Sequence, residues 1–171
     1  LERLKTAGRN LEAIDYVTIS SIIDKCVEKL APVANARQIE LKSSVEDFLA
    51  HGIADQIEIL IENIVSNAIS YSHVGKSVEI SSTVNKSENI ATVSITDHGI
   101  GIEEKDLPNI FNEYFYSPRA VLHNQSSSGI GLSLVKIAAA NNNLQLKITS
   151  EPEVGTTFFI TFTDIKQIEV H

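Results

Sequence analysis

The stretch Ile95-Thr96-Asp97-His98-Gly99-Ile100-Gly101-Ile102 constrains this chain more than any other. An apolar strand runs into a carboxylate, and two glycines follow it, one residue apart. Such an arrangement sets a fixed hydrogen-bond acceptor beside backbone that a ligand can approach without meeting a Cβ. Asp-x-Gly alone also makes ordinary hairpin turns. Two other segments tip the reading toward a ligand site: a helix carrying paired asparagines upstream and a Ser/Gly loop that opens a helix downstream.

The remaining composition fits one compact domain. With 171 residues, of which 43% are hydrophobic and 21% charged, the chain can bury a single substantial core and needs no second domain. The formal charge is −8 and no basic cluster stands out, which argues against nucleic acid as a direct partner. The single cysteine, Cys26, lies among Ile22, Ile23, Val27 and Leu30 and reads as a buried helix position. No apolar run approaches the ~20 residues that span a bilayer, and the Leu-Glu-Arg-Leu-Lys start is not a signal peptide. The first residue is not Met, and residues 1–13 pattern as the tail of a helix entering from upstream, so a piece of a longer protein is expected.

Taken in order, Tyr16 to Ile19 reads as a short extended piece and Ser20 or Ser21 as a helix cap. Apolar positions from Ile22 to Val33 then recur at helical spacing, and Pro32 is expected to loosen that helix. Gln38 to Lys42 alternates as a half-buried strand, and His51 to Ala54 reads as a turn before a cap at Asp55. The strongest helical pattern follows, Gln56 to Tyr71. Its stripe of Ile57, Leu60, Ile61, Ile64, Val65 and Ala68 is flanked by Asn63 and Asn67, four apart on one face. Asparagine is an indifferent helix former, so two at a partly buried edge invite a role: a metal ligand and a second polar group facing phosphates, or simply two surface amides.

Strands at about 77–84 and 90–96 are joined by hairpin chemistry. Glu103 to Leu107 could form one helical turn closed by Pro108, and the aromatic cluster from Ile110 to Tyr116 should anchor the base of a mobile segment. Ser117 to Ser128 reads as a loop long enough to be a functional lid. It ends in Gly129-Ile130-Gly131, where a helix with free N–H groups suits an anion; ordinary capping by Ser128 is the alternative, and the two are compatible. That helix stops at Asn141-Asn142-Asn143, and strands at about 144–149 and 156–162 close the chain. The expected fold is α+β, a two-layer α/β sandwich with a mixed, mostly antiparallel sheet of about five strands on about three helices.

These segments together resemble the catalytic and ATP-binding domain of two-component sensor histidine kinases, the Bergerat ATP-binding fold shared with DNA gyrase. Asn63-Ile64-Val65-Ser66-Asn67-Ala68 is similar to the family's N box, and Asp97 to Ile102 matches its first glycine box. Ile110 to Tyr116 resembles its phenylalanine box, Gly129 to Val135 its second glycine box, and Gly155-Thr156-Thr157-Phe158 the closing Gly-Thr-x-Phe. The five boxes stand in family order over roughly residues 16 to 163.

The resemblance implies that Asp97 accepts from the adenine amino group, with Gly99, Gly101 and Ile102 forming backbone against which the base lies. Thr156 would support Asp97, Asn67 would coordinate Mg²⁺ with Asn63 assisting, and Gly129, Gly131 and Leu132 would offer backbone to the phosphates of ATP. Asn63 stands where ATP-hydrolysing relatives resemble one another in placing a Glu base, which favours phosphoryl transfer. The acceptor histidine would lie upstream, in a dimerisation domain whose last helix ends in residues 1–13, with the catalytic domain at 14–171 and a lid at about 103–128.

A response-regulator receiver domain is the implied onward partner. The implied parent is a homodimer that can be anchored in the cell membrane, this piece being a cytoplasmic, monomeric domain. The sequence departs from the family where Lys or Arg is common: Ser70 follows the N box, and Tyr116 or Ser117 ends the phenylalanine box, with Arg119 nearby. Ser127 replaces a glycine of the second box. Two rivals follow, a nucleotide-sensing module without phosphotransfer and a gyrase-type hydrolytic switch.

Overall fold

A computed structural model describes residues 14–113, 115 and 131–169. The elements are β1 (Asp15–Thr18), α1 (Ile19–Ala36), β2 (Glu40–Ser44), β3 (Phe48–Gly52), α2 (Ala54–Tyr71), β4 (Ser77–Asn85), β5 (Ile90–Thr96), a 3-10 turn (Leu107–Asn109), α3 (Gly131–Asn141), β6 (Gln145–Glu151), β7 (Gly155–Phe162) and β8 (Ile165–Gln167). The two-layer sandwich expected from the sequence is present. Five strands form one sheet in the order β2-β4-β5-β7-β6, in which only β2 and β4 run parallel. That parallel pair follows from the long β3–α2 crossover between them.

Strict alternation along the central strands decides which face of the sheet is covered. Ala91, Val93 and Ile95 of β5 and Phe158, Ile160 and Phe162 of β7 are buried against the helices. The opposite face carries hydroxyls, paired across strands by Thr96 with Thr157 at 3.0 Å and Thr92 with Thr161 at 3.3 Å. Helix α2 is the centre of the helical layer. It contacts α1 on one flank, α3 on the other and β4 and β5 beneath, and Ile57, Leu60, Ile61 and Ile64 are fully buried. Burying such a side chain contributes roughly 1.5–3 kcal/mol, so this stripe holds both layers together.

Several local readings are corrected by contacts from distant residues. His51 to Ala54 is not a turn: β3 runs to Gly52 and joins β1 and β8 in a second, three-stranded antiparallel sheet. Neither Ser20 nor Ser21 caps α1, which begins at Ile19. The Asp47 carboxylate does so from the β2–β3 loop, accepting from Ser20 N at 3.0 Å and Ser20 Oγ at 2.6 Å while also taking Phe48 N at 2.9 Å. Asp55 makes no cap bond and sits in the first turn of α2. Asn142 reaches there instead, accepting from Ile53 N at 2.8 Å and donating to Gln56 Oε1 at 3.1 Å. Glu103 to Leu107 is not a helical turn closed by Pro108, since Pro108 lies inside the 3-10 turn, where its missing N–H is harmless.

Pro32 lies within α1, which continues to Ala36. It and Glu28, whose carbonyl it leaves unpaired, are both exposed, so water can take that acceptor. Among the described residues no helix is long and apolar enough to cross a membrane. Because one carboxylate serves both the N-terminus of α1 and the start of β3, Asp47→Ala should destabilise the fold by about 1–2 kcal/mol. Urea denaturation at pH 7 should show a lower midpoint with unchanged slope.

Candidate functional site

The end of β5 is where three segments converge. Asp97 is only 7% exposed. Its Oδ1 accepts both Gly99 N and Thr156 N at 3.1 Å, and its own N–H donates to Thr156 O at 2.9 Å. Among the described residues Oδ2 has no hydrogen-bond partner, so one carboxylate oxygen is anchored and the other is left to receive a donor. Burial raises the Asp97 pKa from the ordinary 3.8 to about 6, against the opposing pull of the Thr156 and Gly99 N–H groups and of His98 and His73.

The two glycines after Asp97 owe their identity first to the chain itself. A methyl group on Gly99 would strike Tyr71 O at the end of α2, and one on Gly101, held at φ +67°, would strike Glu151 O at the end of β6. Close approach lets the backbone interlock: Ile100 N donates to Tyr71 O at 3.1 Å, His73 N to His98 O at 3.3 Å, and Glu153 N to Ile100 O at 2.8 Å. The Asp97–Ile102 segment is thereby pinned between α2 and the β6–β7 turn.

Helix α2 links this end to a second one. Asn63, Asn67 and Tyr71 lie at successive four-residue steps on one face, spanning about 12 Å along the axis. At the far end, Gly131 at the start of α3 comes so close to Asn63 that a Cβ there would lie 2.9 Å from Oδ1. Asn63 Nδ2 donates to Ile59 O at 2.7 Å, which turns the amide oxygen toward α3. The half-buried Asn67 amide has no hydrogen-bond partner among the described residues. An amide carbonyl is a suitable hard donor for a small divalent cation, so both side chains fit that use. Asp97, Gly99, Gly101, Ile102 and Thr156 therefore form one end, Asn63, Gly131 and Leu132 the other, with Asn67 between; Gly129 lies outside the described residues.

Neighbouring groups refine this picture. Glu62 points away from Asn63 and pairs with Lys29 of α1 at 2.8 Å, so it is not poised as a base in the site. Ser70, where a cation was expected by resemblance, has its carbonyl bonded to Arg37 Nη2 at 3.0 Å. His73, His98 and His51 pair with Glu153, Glu79 and Asp164 at 3.4, 2.9 and 3.5 Å. Ile110 is buried, and Phe111 and Phe115 pack against the core. Tyr114, Tyr116 to Ser128, His123 and His171 lie outside the described residues, as do residues 1–13 and most of the proposed lid.

Sequence reasoning missed Ser150. Its hydroxyl lies 2.7 Å from Thr156 Oγ1, accepts Ile102 N at 2.8 Å and reaches Gly155 O at 3.1 Å. The available signal was its register: Leu146, Ile148 and Ser150 share the inward side of β6, and a hydroxyl breaks that apolar series.

The buried Asp97 acceptor thus stands at one end of α2 and the Asn63 amide at the other, and comparison with known proteins names the class of the chain. The chain belongs to the histidine kinase-, DNA gyrase B-, and HSP90-like ATPase family, whose model matches residues 52–165. It is 33% identical over its whole length to the sensor-like histidine kinase SenX3 of Mycolicibacterium smegmatis, covering 44% of that protein. It is 27% identical to the heme sensor protein HssS of Staphylococcus saprophyticus, over 92% of this chain and 33% of that one. The chain thus spans less than half the length of these curated relatives. In fold it is similar to the mycobacterial sensor histidine kinase MprB, with a TM-score of 0.81 at 23% identity over 90% of this chain and 100% of that one. The catalytic domain of histidine kinase ThkA gives a TM-score of 0.72 at 18% identity, over 87% of this chain and 95% of that chain.

The raised pKa of Asp97 has a stability consequence with a definite sign. Folding takes up a proton between the unfolded value near 3.8 and the folded value of about 6, so stability from this group is present below 3.8 and lost as pH rises through 6. Asp97→Asn, neutral throughout, should therefore leave the ligand-free domain more stable than wild type above pH 6, by up to about 3 kcal/mol. Denaturation at pH 4, 5, 6 and 7 checks this: the gap should open with pH and level off near 7.

Proposed function

We propose that this chain is the ATP-binding catalytic domain of a sensor histidine kinase, donating the γ-phosphoryl group of ATP to a histidine carried by a dimerisation domain of its parent. Support comes from the family match, from the relatives' names and above all from the anchored Asp97 carboxylate with one oxygen free. In this reading Asp97 Oδ2 accepts the adenine amino hydrogen. Thr156 N and Gly99 N keep the carboxylate aimed, and the backbone of Gly101 and Ile102 lies beside the base. Asn67 would hold Mg²⁺ with Asn63 assisting, and the cation when bound supplies positive charge against the phosphates of an otherwise acidic domain. Gly131 and Leu132 present N–H groups at the start of α3 to those phosphates, and the family resemblance assigns Gly129 the same use.

The separation of the two ends along α2 matches the division of labour between base and phosphates. Catalysis then rests on positioning and charge neutralisation, with in-line attack by the histidine and the helical domain supplying the proton acceptor. Residues 1–13 fit the end of that domain's last helix, and the remaining segment from about 103 to 128 fits a lid. A homodimeric, membrane-anchored parent that passes its phosphoryl group to a receiver domain completes the reading. Asn63 disfavours the gyrase-type switch, because an amide cannot take a proton from water at neutral pH. Glu62, held by Lys29, does not replace it. Ser70 supports a sensing module without transfer, and autophosphorylation of the parent on its helical histidine discriminates against that rival.

Calorimetric titration of this chain with ATP tests the pocket. Binding should need Mg²⁺, fall at least tenfold with Asn67→Ala and be abolished by Asp97→Asn; a folded wild-type chain that ignores millimolar ATP would sink the reading. Affinity should also decline as pH falls through about 6, where Asp97 gains a proton and loses its charge.

A further inference from the structure

Ser150 occupies a place whose hydrogen-bond arithmetic has a chemical outcome. A serine hydroxyl has one proton and two lone pairs. Ile102 N, a donor only, takes one lone pair at 2.8 Å, and Gly155 O, an acceptor only, takes the proton at 3.1 Å. The contact to Thr156 Oγ1, 2.7 Å away, is open to either donor; with the Ser150 proton on Gly155 O, the second lone pair of Ser150 faces Thr156 and the shared proton comes from Thr156. Thr156 is 5% exposed, stands directly across the β6–β7 pair from Ser150, and its N–H is already committed to Asp97.

We propose that Ser150 is a specificity-determining positioning residue: by accepting the Thr156 hydroxyl proton it leaves Thr156 Oγ1 an acceptor, so that this end of the pocket presents acceptors only and selects an amino-bearing base over a keto-bearing one. The proposal rests on Asp97 and Thr156 forming the base end of the ATP site. With the Asp97 carboxylate held by the N–H of the same residue, an acceptor at Thr156 complements the exocyclic amino group of adenine and opposes the oxygen that hypoxanthine carries at the same position. Without Ser150 the Thr156 hydroxyl can rotate and donate, and the keto base is tolerated. Ser150 also holds Ile102 N, tying the selection to the segment that lies beside the base.

The test is the ratio of dissociation constants for inosine triphosphate and ATP, each titrated with Mg²⁺ into the 171-residue chain. Ser150→Ala should narrow that ratio by roughly two- to tenfold, the span of one neutral hydrogen bond. Ser150→Thr, with a hydroxyl on the same Cβ, should restore it. Thr156→Val should narrow it too, and adding Ser150→Ala to that variant should change nothing further, a coupling that a purely structural role would not produce.

A wild-type ratio in a folded Ser150→Ala chain, or additive effects in the double variant, overturns the proposal. If Ser150→Ala does not fold, the position 156 pair decides: Thr156→Val must narrow the ratio and Thr156→Ser must keep it, and any other pattern overturns it. Asp97→Asn separates the two levels. ATP binding indifferent to that change means the pocket reading itself has failed, whereas binding lost in Asp97→Asn beside an unchanged ratio in Ser150→Ala means that only the role of Ser150 has.

Discussion

The Asp97 carboxylate is buried, and its burial is tolerated because two main-chain N–H groups from different segments meet one of its oxygens. Those bonds fix the end of β5 against the start of β7. They also explain why the β6–β7 turn, the end of α2 and the glycine segment are interlocked rather than merely adjacent. The group still holds its proton more tightly than an exposed aspartate would, so ionising it in the folded domain costs free energy. Affinity and fold stability are set against each other at one residue, a trade expected of binding sites.

Helix α2 is the other fixed quantity. Its apolar stripe is buried so completely that the helix cannot roll, and the side chains beside the stripe are therefore aimed without any contact of their own. Asn67 illustrates this: it needs no protein partner to be held, because Ile64, Val65 and Ala68 hold the backbone that carries it. The approach of Gly131 to Asn63 then brings the start of α3 to the same face.

Much of this was legible in the sequence because the signals were periodic or chemical. The 3.6-residue stripe of α2, the alternation of β5 and β7 and the Asp-x-Gly-x-Gly stretch each report a local constraint, and five boxes in order identify the family. What was missed depends on residues far apart in the chain. Asp47 caps a helix 27 positions earlier and Asn142 one 89 positions earlier, so a nearby Ser20 or Asp55 looked sufficient. β3 was hidden because His51 and Gly52 resemble a turn, and only pairing with β1 and β8 makes them strand. The glycines were legible as glycines, but their reason was not: Tyr71 and Glu151 carbonyls occupy the Cβ directions, a requirement of assembly that precedes any ligand.

The three-stranded sheet carries a mechanical implication. β1 and β8 flank β3 and both run antiparallel to it, with Asp15 opposite Gly52 and Gln167 opposite Phe48. A pull on the chain before residue 15 and another after residue 167 would thus act along the strands in opposite directions, loading the cross-strand bonds in shear, all at once, instead of peeling them one by one. Tension applied through these two connections would be borne by the small sheet, and the sheet that carries Asp97 would turn as a rigid body without being stretched.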